Sequence, residues 1–129
     1  MNNPLHFLII DDNNIDRMIA RKMLQKSMSN VVIYEADSSN EGINWINKNR
    51  AKVNDKLIIL LDMQMPNVDG FGFLASYDKL DDSLKKNNIL FMLSSMNEGN
   101  DFFDRAINNP YVKSVLSKPI DTEELLSLI

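Results

Sequence analysis

The chain contains no cysteine and only one histidine, His6, among its 129 residues. Without cysteine there can be no disulfide bonds, no thiolate zinc sites and no thiol chemistry. A single histidine excludes metal sites built from several histidines and argues against a Ser-His-Asp triad. His6 lies early in an apolar segment, and we interpret it as a structural residue rather than a ligand.

Long apolar runs are absent as well. No stretch approaches the roughly 18 residues that a membrane span needs. The first residues lack a basic leader, and their apolar stretch runs directly into two aspartates, which does not fit a signal peptide. The 14 basic and 18 acidic residues give a net charge of −4, which argues against nucleic acid or an anionic membrane as the main partner. We therefore expect a cytoplasmic protein that contacts neither directly.

The composition that remains is that of a globular domain, with 44% apolar and 25% charged residues. The length suits one domain covering residues 1–129. Five short apolar segments recur along the chain, and continuous runs of this kind are typical of strands buried on both faces of a parallel sheet. The predicted strands are Leu5–Ile10, Val31–Tyr34, Leu57–Leu61, Ile89–Leu93 and Val112–Leu116.

The segments between these strands have the spacing and capping residues of amphipathic helices. The charged stretch from Lys79 to Asn88 is interpreted as a solvated connection. Alternating strands and helices predict an α/β fold with a doubly wound, five-stranded parallel sheet in the flavodoxin-like order 2-1-3-4-5 and helices on both faces. The predicted helices begin at Asn13 or Asn14, at Ser38 or Ser39, near Asp69, near Glu98 with an end at Asn108, and at Asp121 or Thr122.

Polar residues follow four of the predicted strands, at the edge of the sheet where such folds bind ligands. Three carboxylates so close together would repel one another, and a hard divalent cation such as Mg²⁺ or Mn²⁺ would relieve the repulsion. A cation and a lysine beside a carboxylate favour phosphoryl transfer onto that carboxylate. The residues concerned are Asp11, Asp12, Asp62, Ser94 and Lys118.

These residues, together with the segment MPNVDG at positions 65–70 and the pair Lys118-Pro119, resemble the receiver domain of bacterial two-component response regulators, the CheY-like family. The likeness extends over essentially the whole chain. It implies that Asp62 accepts a phosphoryl group from a phosphohistidine on a sensor histidine kinase or a histidine phosphotransfer protein. It also implies that Ser94 and Lys118 hold the phosphoryl oxygens, and that the Lys118–Pro119 bond is cis.

The resemblance further implies a Mg²⁺ site, with Mn²⁺ as a possible substitute. Asp12, Asp62 and the backbone carbonyl of Gln64 would bind the ion directly, and Asp11 would act through water. Phosphorylation would switch a surface near strands 4 and 5 and the fourth predicted helix, to which a downstream protein target binds. Such a module is not an enzyme beyond its own phosphorylation and dephosphorylation.

One position departs from the family pattern. Val115 stands three residues before the lysine, where receivers usually carry Tyr or Phe. A β-branched side chain has few rotamers and no ring to turn, so we expect muted side-chain signalling there. Tyr111 lies on the same face by period-two alternation and could supply an aromatic contact surface.

Three alternatives remain open at this point. A small Mg²⁺-dependent phosphohydrolase with an aspartyl nucleophile would need a second acid two residues after Asp62, and this chain has Gln64 there. An adaptor that has lost phosphorylation is disfavoured by the complete acidic set. The chain could also be the receiver fragment of a larger regulator or of a hybrid kinase.

Overall fold

The computed structural model describes residues 4–65, 69–95 and 100–129. In these parts a parallel sheet of five strands has the order β2-β1-β3-β4-β5, as the sequence predicts. The predicted strands are all present, and four of them extend by one or two residues. The strands are β1 Leu5–Ile10, β2 Val31–Ala36, β3 Leu57–Asp62, β4 Asn88–Ser94 and β5 Val112–Ser117.

The central strand β3 is buried along its whole length, while the edge strands β2 and β5 are mostly half-buried. Successive side chains of a strand point to opposite faces, so the sheet separates two hydrophobic clusters. Leu8 and Ile10 of β1 belong to one cluster, and Phe7 and Ile9 belong to the other. Both faces of the sheet are therefore covered, as a buried parallel sheet requires.

The helices in the described parts of the chain are α1 Asn14–Ser27, α2 Ser39–Asn49, α3 Gly70–Asp78, α4 Asp82–Lys85, α5 Asn100–Ile107 and α6 Thr122–Leu128. The predicted capping residues Asn13, Ser38, Asp69 and Asp121 each accept hydrogen bonds from amides of the first turn. The predicted start of the fourth helix near Glu98 lies outside the described residues. Helices α1 and α6 cover one face, and α2, α3 and α5 cover the other.

The segment from Lys79 to Asn88 differs from the prediction. Most of it is exposed, as expected, but it contains the short helix α4, and Asn88 already belongs to β4. The Asn88 side chain donates to the Tyr77 hydroxyl at 2.8 Å and to the Leu84 carbonyl at 2.9 Å. A helix of four residues is too short to leave a periodic apolar pattern, so sequence reasoning missed it.

Arg50, in a 3-10 turn after α2, is buried, with 5% of its surface exposed. Its guanidinium donates to the carbonyls of Val53, Asp55 and Lys86 at 2.7, 3.1 and 3.2 Å, and to Asn88 Oδ1 at 2.7 Å. One side chain thus connects three segments at the amino-terminal edge of the sheet. This anchor explains why the charged connection is held in place.

His6 has the structural role that we expected from the sequence. His6 Nδ1 lies 3.2 Å from the Tyr34 hydroxyl, and the Tyr34 ring packs against Trp45 with 4.5 Å between ring centroids. Among the residues described, no helix combines the length and apolar character that crossing a membrane would take.

Candidate functional site

The acidic residues predicted at the carboxyl ends of the strands lie together in the structure. Asp11 follows β1, and Asp62 is the last residue of β3. One carboxylate oxygen from each of Asp11, Asp12 and Asp62 lies within 4.8 Å of the other two. Asp11 and Asp62 are buried, with 2% and 6% of their surface exposed, whereas Asp12 faces solvent. The cluster therefore has an inner wall of two buried carboxylates and an open side.

Lys118, just after β5, reaches the same cluster. Its Nζ lies 2.8 Å from Asp11 Oδ2 and 3.3 Å from Asp62 Oδ1. The Lys118–Pro119 bond is cis, as the resemblance implied. The lysine thus places one positive charge beside the two buried carboxylates.

A third carboxylate, which sequence reasoning missed, also contacts the lysine. Asp16 Oδ2 lies 3.2 Å from Lys118 Nζ. Asp16 stands in the first turn of α1, where an acid is ordinarily explained by the helix dipole. Because that role already accounts for an acid at this position, the sequence did not indicate its contact with Lys118, 102 positions away.

Burial and the neighbouring charge of Asp11 together raise the pKa of Asp62 to about 6, against the opposing effect of Lys118. For Lys118, burial disfavours the charged ammonium. The hydrogen bond to Asp11 and the charges of Asp62 and Asp11 outweigh burial, so the pKa of Lys118 lies above its ordinary value. The lysine is therefore a permanent cation. For Asp62, the ionised carboxylate is less favourable than it would be in water.

Hydrogen bonds to the backbone fix the two buried acids. Asp11 Oδ1 accepts from the Asn13 amide at 2.9 Å, and Asp62 Oδ1 accepts from the Gln64 amide at 3.3 Å. The guanidinium of Arg17 donates to the backbone carbonyl of Asp11 at 2.6 Å. Arg17, too, was missed from the sequence, because an arginine within an amphipathic helix has no distinctive signature.

Ser94 is half-buried at the end of β4, next to Ser117 in the β4–β5 register. Its backbone carbonyl accepts from the Lys118 amide at 3.0 Å. The predicted hydroxyl and ammonium therefore stand on adjoining strand ends. The five residues whose side chains were predicted to form the site all lie at this edge of the sheet.

A cavity of about 400 Å³ opens beside the lysine. Asp11, Asp16 and Lys118 line it together with apolar side chains. Asp62 is not part of its lining. The apolar residues are Ile9, Ile19, Ala20, Leu93, Pro119 and Ile120.

Val115 and Tyr111 pack against the same hydrophobic cluster, as predicted, but Val112 packs there as well. The β4–β5 register shifts between Leu90 and Phe91, so strict period-two alternation does not hold in this part of the chain.

Tyr111 is held by its neighbours. Its hydroxyl donates to Asp78, and its ring meets Tyr77 edge-on with 5.1 Å between centroids. The Val115 side chain is half-buried in β5 and contributes packing.

The geometry suits one kind of chemistry. Three clustered carboxylate oxygens are the ligand type that a hard divalent cation prefers. A cation there and the Lys118 ammonium would flank Asp62 with positive charge on two sides. Such an arrangement stabilises a phosphoryl group on a carboxylate.

Comparison with known proteins gives the same class. Residues 7–129 match the family described as the response regulator receiver domain. The chain belongs to this family. It is a phosphoacceptor signalling module of two-component systems, and the hydrolase alternative is not favoured.

Similar proteins come from both signalling regulators and kinases. The structure of a response regulator receiver protein from Dyadobacter fermentans is 30% identical, with a TM-score of 0.86 over 96% of this chain and 94% of that one. A two-component response regulator from Cytophaga hutchinsonii has a TM-score of 0.84 at 24% identity, over 98% of this chain and 95% of that one, and shows the shared fold. The sensor histidine kinase CheAY of Helicobacter pylori is 35% identical over 80 residues, which are 60% of this chain and 9% of that kinase.

Proposed function

We propose that Asp62 is the phosphoacceptor of this receiver. The observation that carries the proposal is the position of its buried carboxylate, 3.3 Å from Lys118 Nζ and within 4.8 Å of the oxygens of Asp11 and Asp12. Ordinary surface acids lack such a setting. Scattered turn aspartates would not converge from two strands onto one lysine.

Mg²⁺ is the cofactor that this donor set fits, and Mn²⁺ has the same preference for oxygen. The three carboxylates and the lysine leave two uncompensated negative charges, which a divalent cation neutralises. Asp12, Asp62 and the backbone carbonyl of Gln64 would hold the ion directly, and Asp11 would hold it through water. When bound, the ion supplies charge stabilisation for the phosphoryl oxygens.

The reaction at Asp62 is a displacement at phosphorus. A carboxylate oxygen of Asp62 forms a bond to the phosphorus atom, and the bond from phosphorus to the donor's imidazole nitrogen breaks, leaving the electron pair on that nitrogen. Ser94 donates a hydrogen bond to one phosphoryl oxygen, and Lys118 donates to another. Asp62 must be ionised to attack, and Lys118 favours that state.

The phosphodonor is a sensor histidine kinase or a histidine phosphotransfer protein. An exposed apolar patch on α1 beside the site supports docking of such a partner, since Ile15, Met18 and Ile19 are 62%, 38% and 42% exposed. Contiguous exposed apolar side chains are typical of interaction surfaces, whereas apolar side chains exposed singly are common on any protein.

The downstream target is a protein that binds near β4, β5 and α5. Phe103 and Ile107 of α5 are 49% and 50% exposed, which gives this helix an apolar outer face. Residues 1–129 would act as one module in the cytoplasm, with no direct role for nucleic acid or membrane. Its chemistry would be limited to its own phosphorylation and dephosphorylation.

Incubation with acetyl phosphate and Mg²⁺ tests the assignment. Intact mass should rise by one phosphoryl group in the wild type and in Asp104→Asn, a control that changes an exposed acid of α5. Asp62→Asn should stay unmodified. A modified Asp62→Asn protein would place the acceptor elsewhere, and multiple turnovers of p-nitrophenyl phosphate would favour the hydrolase instead.

A further inference from the structure

Lys118 is shared among three carboxylates. A lysine ammonium has three N–H donors, and Nζ lies 2.8 Å from Asp11, 3.2 Å from Asp16 and 3.3 Å from Asp62. Every donor thus has an acidic partner in this structure. The proposed function uses Asp11 and Asp62 but gives Asp16 no role.

The contacts of Asp11 and Asp16 with the lysine differ in strength. The Asp11 side chain is 3% exposed and is also fixed by the Asn13 amide. The Asp16 side chain is 40% exposed, and its contact is longer. Water can replace the lysine at Asp16, whereas Asp11 has no such substitute. The Asp16 contact is therefore the easier one to give up.

A phosphoryl group on Asp62 changes which acceptors the Lys118 ammonium has to reach. The group brings strong acceptor oxygens and close to two negative charges, and Lys118 has to direct a donor toward it. Asp16 pulls the same ammonium toward the cavity that Asp62 does not line. It also adds a negative charge near an incoming anion. Both effects oppose phosphorylation.

We propose that Asp16 is a positioning residue that restrains Lys118 in the unphosphorylated protein and thereby slows phosphorylation of Asp62. The inference rests on the proposed roles of Asp62 and Lys118. It predicts that Asp16 releases the lysine when the phosphoryl group is in place.

Asp16→Asn tests this directly, because asparagine keeps the size and one acceptor oxygen while removing the charge. With Mg²⁺ at saturating concentration and acetyl phosphate as donor, its phosphorylation should be roughly threefold to tenfold faster than in the wild type, the range expected for a partly exposed charge pair. Asp104→Asn makes the same change of net charge on α5 and should match the wild type.

The dependence on salt distinguishes an effect of Asp16 through its contact with Lys118 from long-range repulsion between Asp16 and the phosphodonor. The Debye length falls from about 10 Å at 0.1 M to about 3 Å at 1 M salt, and partly buried contacts are screened less than remote ones. The acceleration by Asp16→Asn should therefore persist at 1 M salt. An acceleration that disappears there would show that Asp16 acts as a remote charge, which overturns the proposal.

An Asp16→Asn protein that is phosphorylated at the wild-type rate, or more slowly, would also overturn it. Wild-type protein that carries no phosphate at Asp62 would instead refute the proposed function on which the inference rests. Thermal unfolding of each variant shows that it is folded under the assay conditions.

Discussion

Arg17 holds the main chain of Asp11 in place: its Nη1 donates to the Asp11 carbonyl at 2.6 Å. The guanidinium is itself fixed by Glu35 of β2, at 3.2 Å from Nε. Glu35 also pairs with Arg21, one helical turn further along α1. The acidic turn after β1 is thus braced from the neighbouring helix and strand.

Replacing Arg17 with glutamine should weaken Mg²⁺ binding by about threefold to thirtyfold, because supporting residues around metal ligands contribute on the order of 10- to 100-fold when they contact the ligands closely. The loss arises from a looser Asp11–Asp12 turn rather than from a missing ligand. Amide chemical shifts at Asp11, Asp12 and Asp62 during a Mg²⁺ titration report the affinity.

Arg21→Gln is the matched control, since Arg21 also pairs with Glu35 but makes no hydrogen bond to Asp11 within the described parts of the chain. It should bind Mg²⁺ within about twofold of the wild type, as expected for a surface ion pair. Equal losses in both variants would show that net charge, rather than the bond to Asp11, sets the affinity.

Because the pKa of Asp62 is raised, its ionised carboxylate destabilises the folded protein when no metal is bound. Between the ordinary value of 3.8 and about 6, the folded state binds more protons than the unfolded state, so the free energy of unfolding falls as pH rises through this window. Asp62→Asn should therefore stabilise the metal-free protein at pH 7, by about 1–2 kcal/mol after allowance for solvent screening.

Urea unfolding in the presence of a chelator at pH 7 and at pH 4 checks this sign. The gain from Asp62→Asn should shrink toward zero at the lower pH, where the wild-type carboxyl is protonated. Mg²⁺ should reduce the difference at pH 7, because the ion stabilises only the wild-type site. A variant less stable than the wild type at pH 7 without metal would contradict the prediction.

Arg50→Lys should destabilise the protein by about 2–4 kcal/mol. A lysine ammonium cannot reproduce the planar fork that serves three carbonyls and Asn88, and buried carbonyls would lose their donors. Chemical denaturation measures the loss. Lys52→Arg, an exposed exchange in the same turn, should change the free energy of unfolding by less than about 0.5 kcal/mol.

Gly70 marks a close approach between the start of α3 and the end of β3. A Cβ there would lie 3.1 Å from the backbone carbonyl oxygen of Asp62 and 3.2 Å from Met63 Cα. Gly70→Ala should therefore cost about 1–3 kcal/mol of stability and slow phosphorylation at Asp62. Ser76→Ala, at an exposed position of α3, should leave the phosphorylation rate unchanged and gain slightly in stability.

The fold and the acidic cluster could be predicted from the sequence, because both follow from local residue patterns that have a simple geometric consequence. A run such as Leu57–Leu61 ending on Asp62 predicts a buried strand and a carboxylate at its carboxyl edge. Arg50, Arg17 and Asp16 were not predictable in this way. Each acts through partners distant in sequence or through backbone carbonyls. Contacts of these two kinds leave no periodic pattern or regular spacing in the sequence.

The two edges of the sheet differ in how well their polar groups are satisfied. At the amino-terminal edge, Arg50 meets a set of acceptors that match its donors. At the opposite edge, Asp11, Asp16 and Asp62 share one lysine, and Asp12 adds a further carboxylate beside Asp11 and Asp62. Natural sequences are minimally frustrated overall, so frustration that persists at one place signals selection for something other than stability. A substitution that stabilises the protein at the acidic edge by removing the Asp62 charge, such as Asp62→Asn, should therefore do so at the expense of phosphorylation.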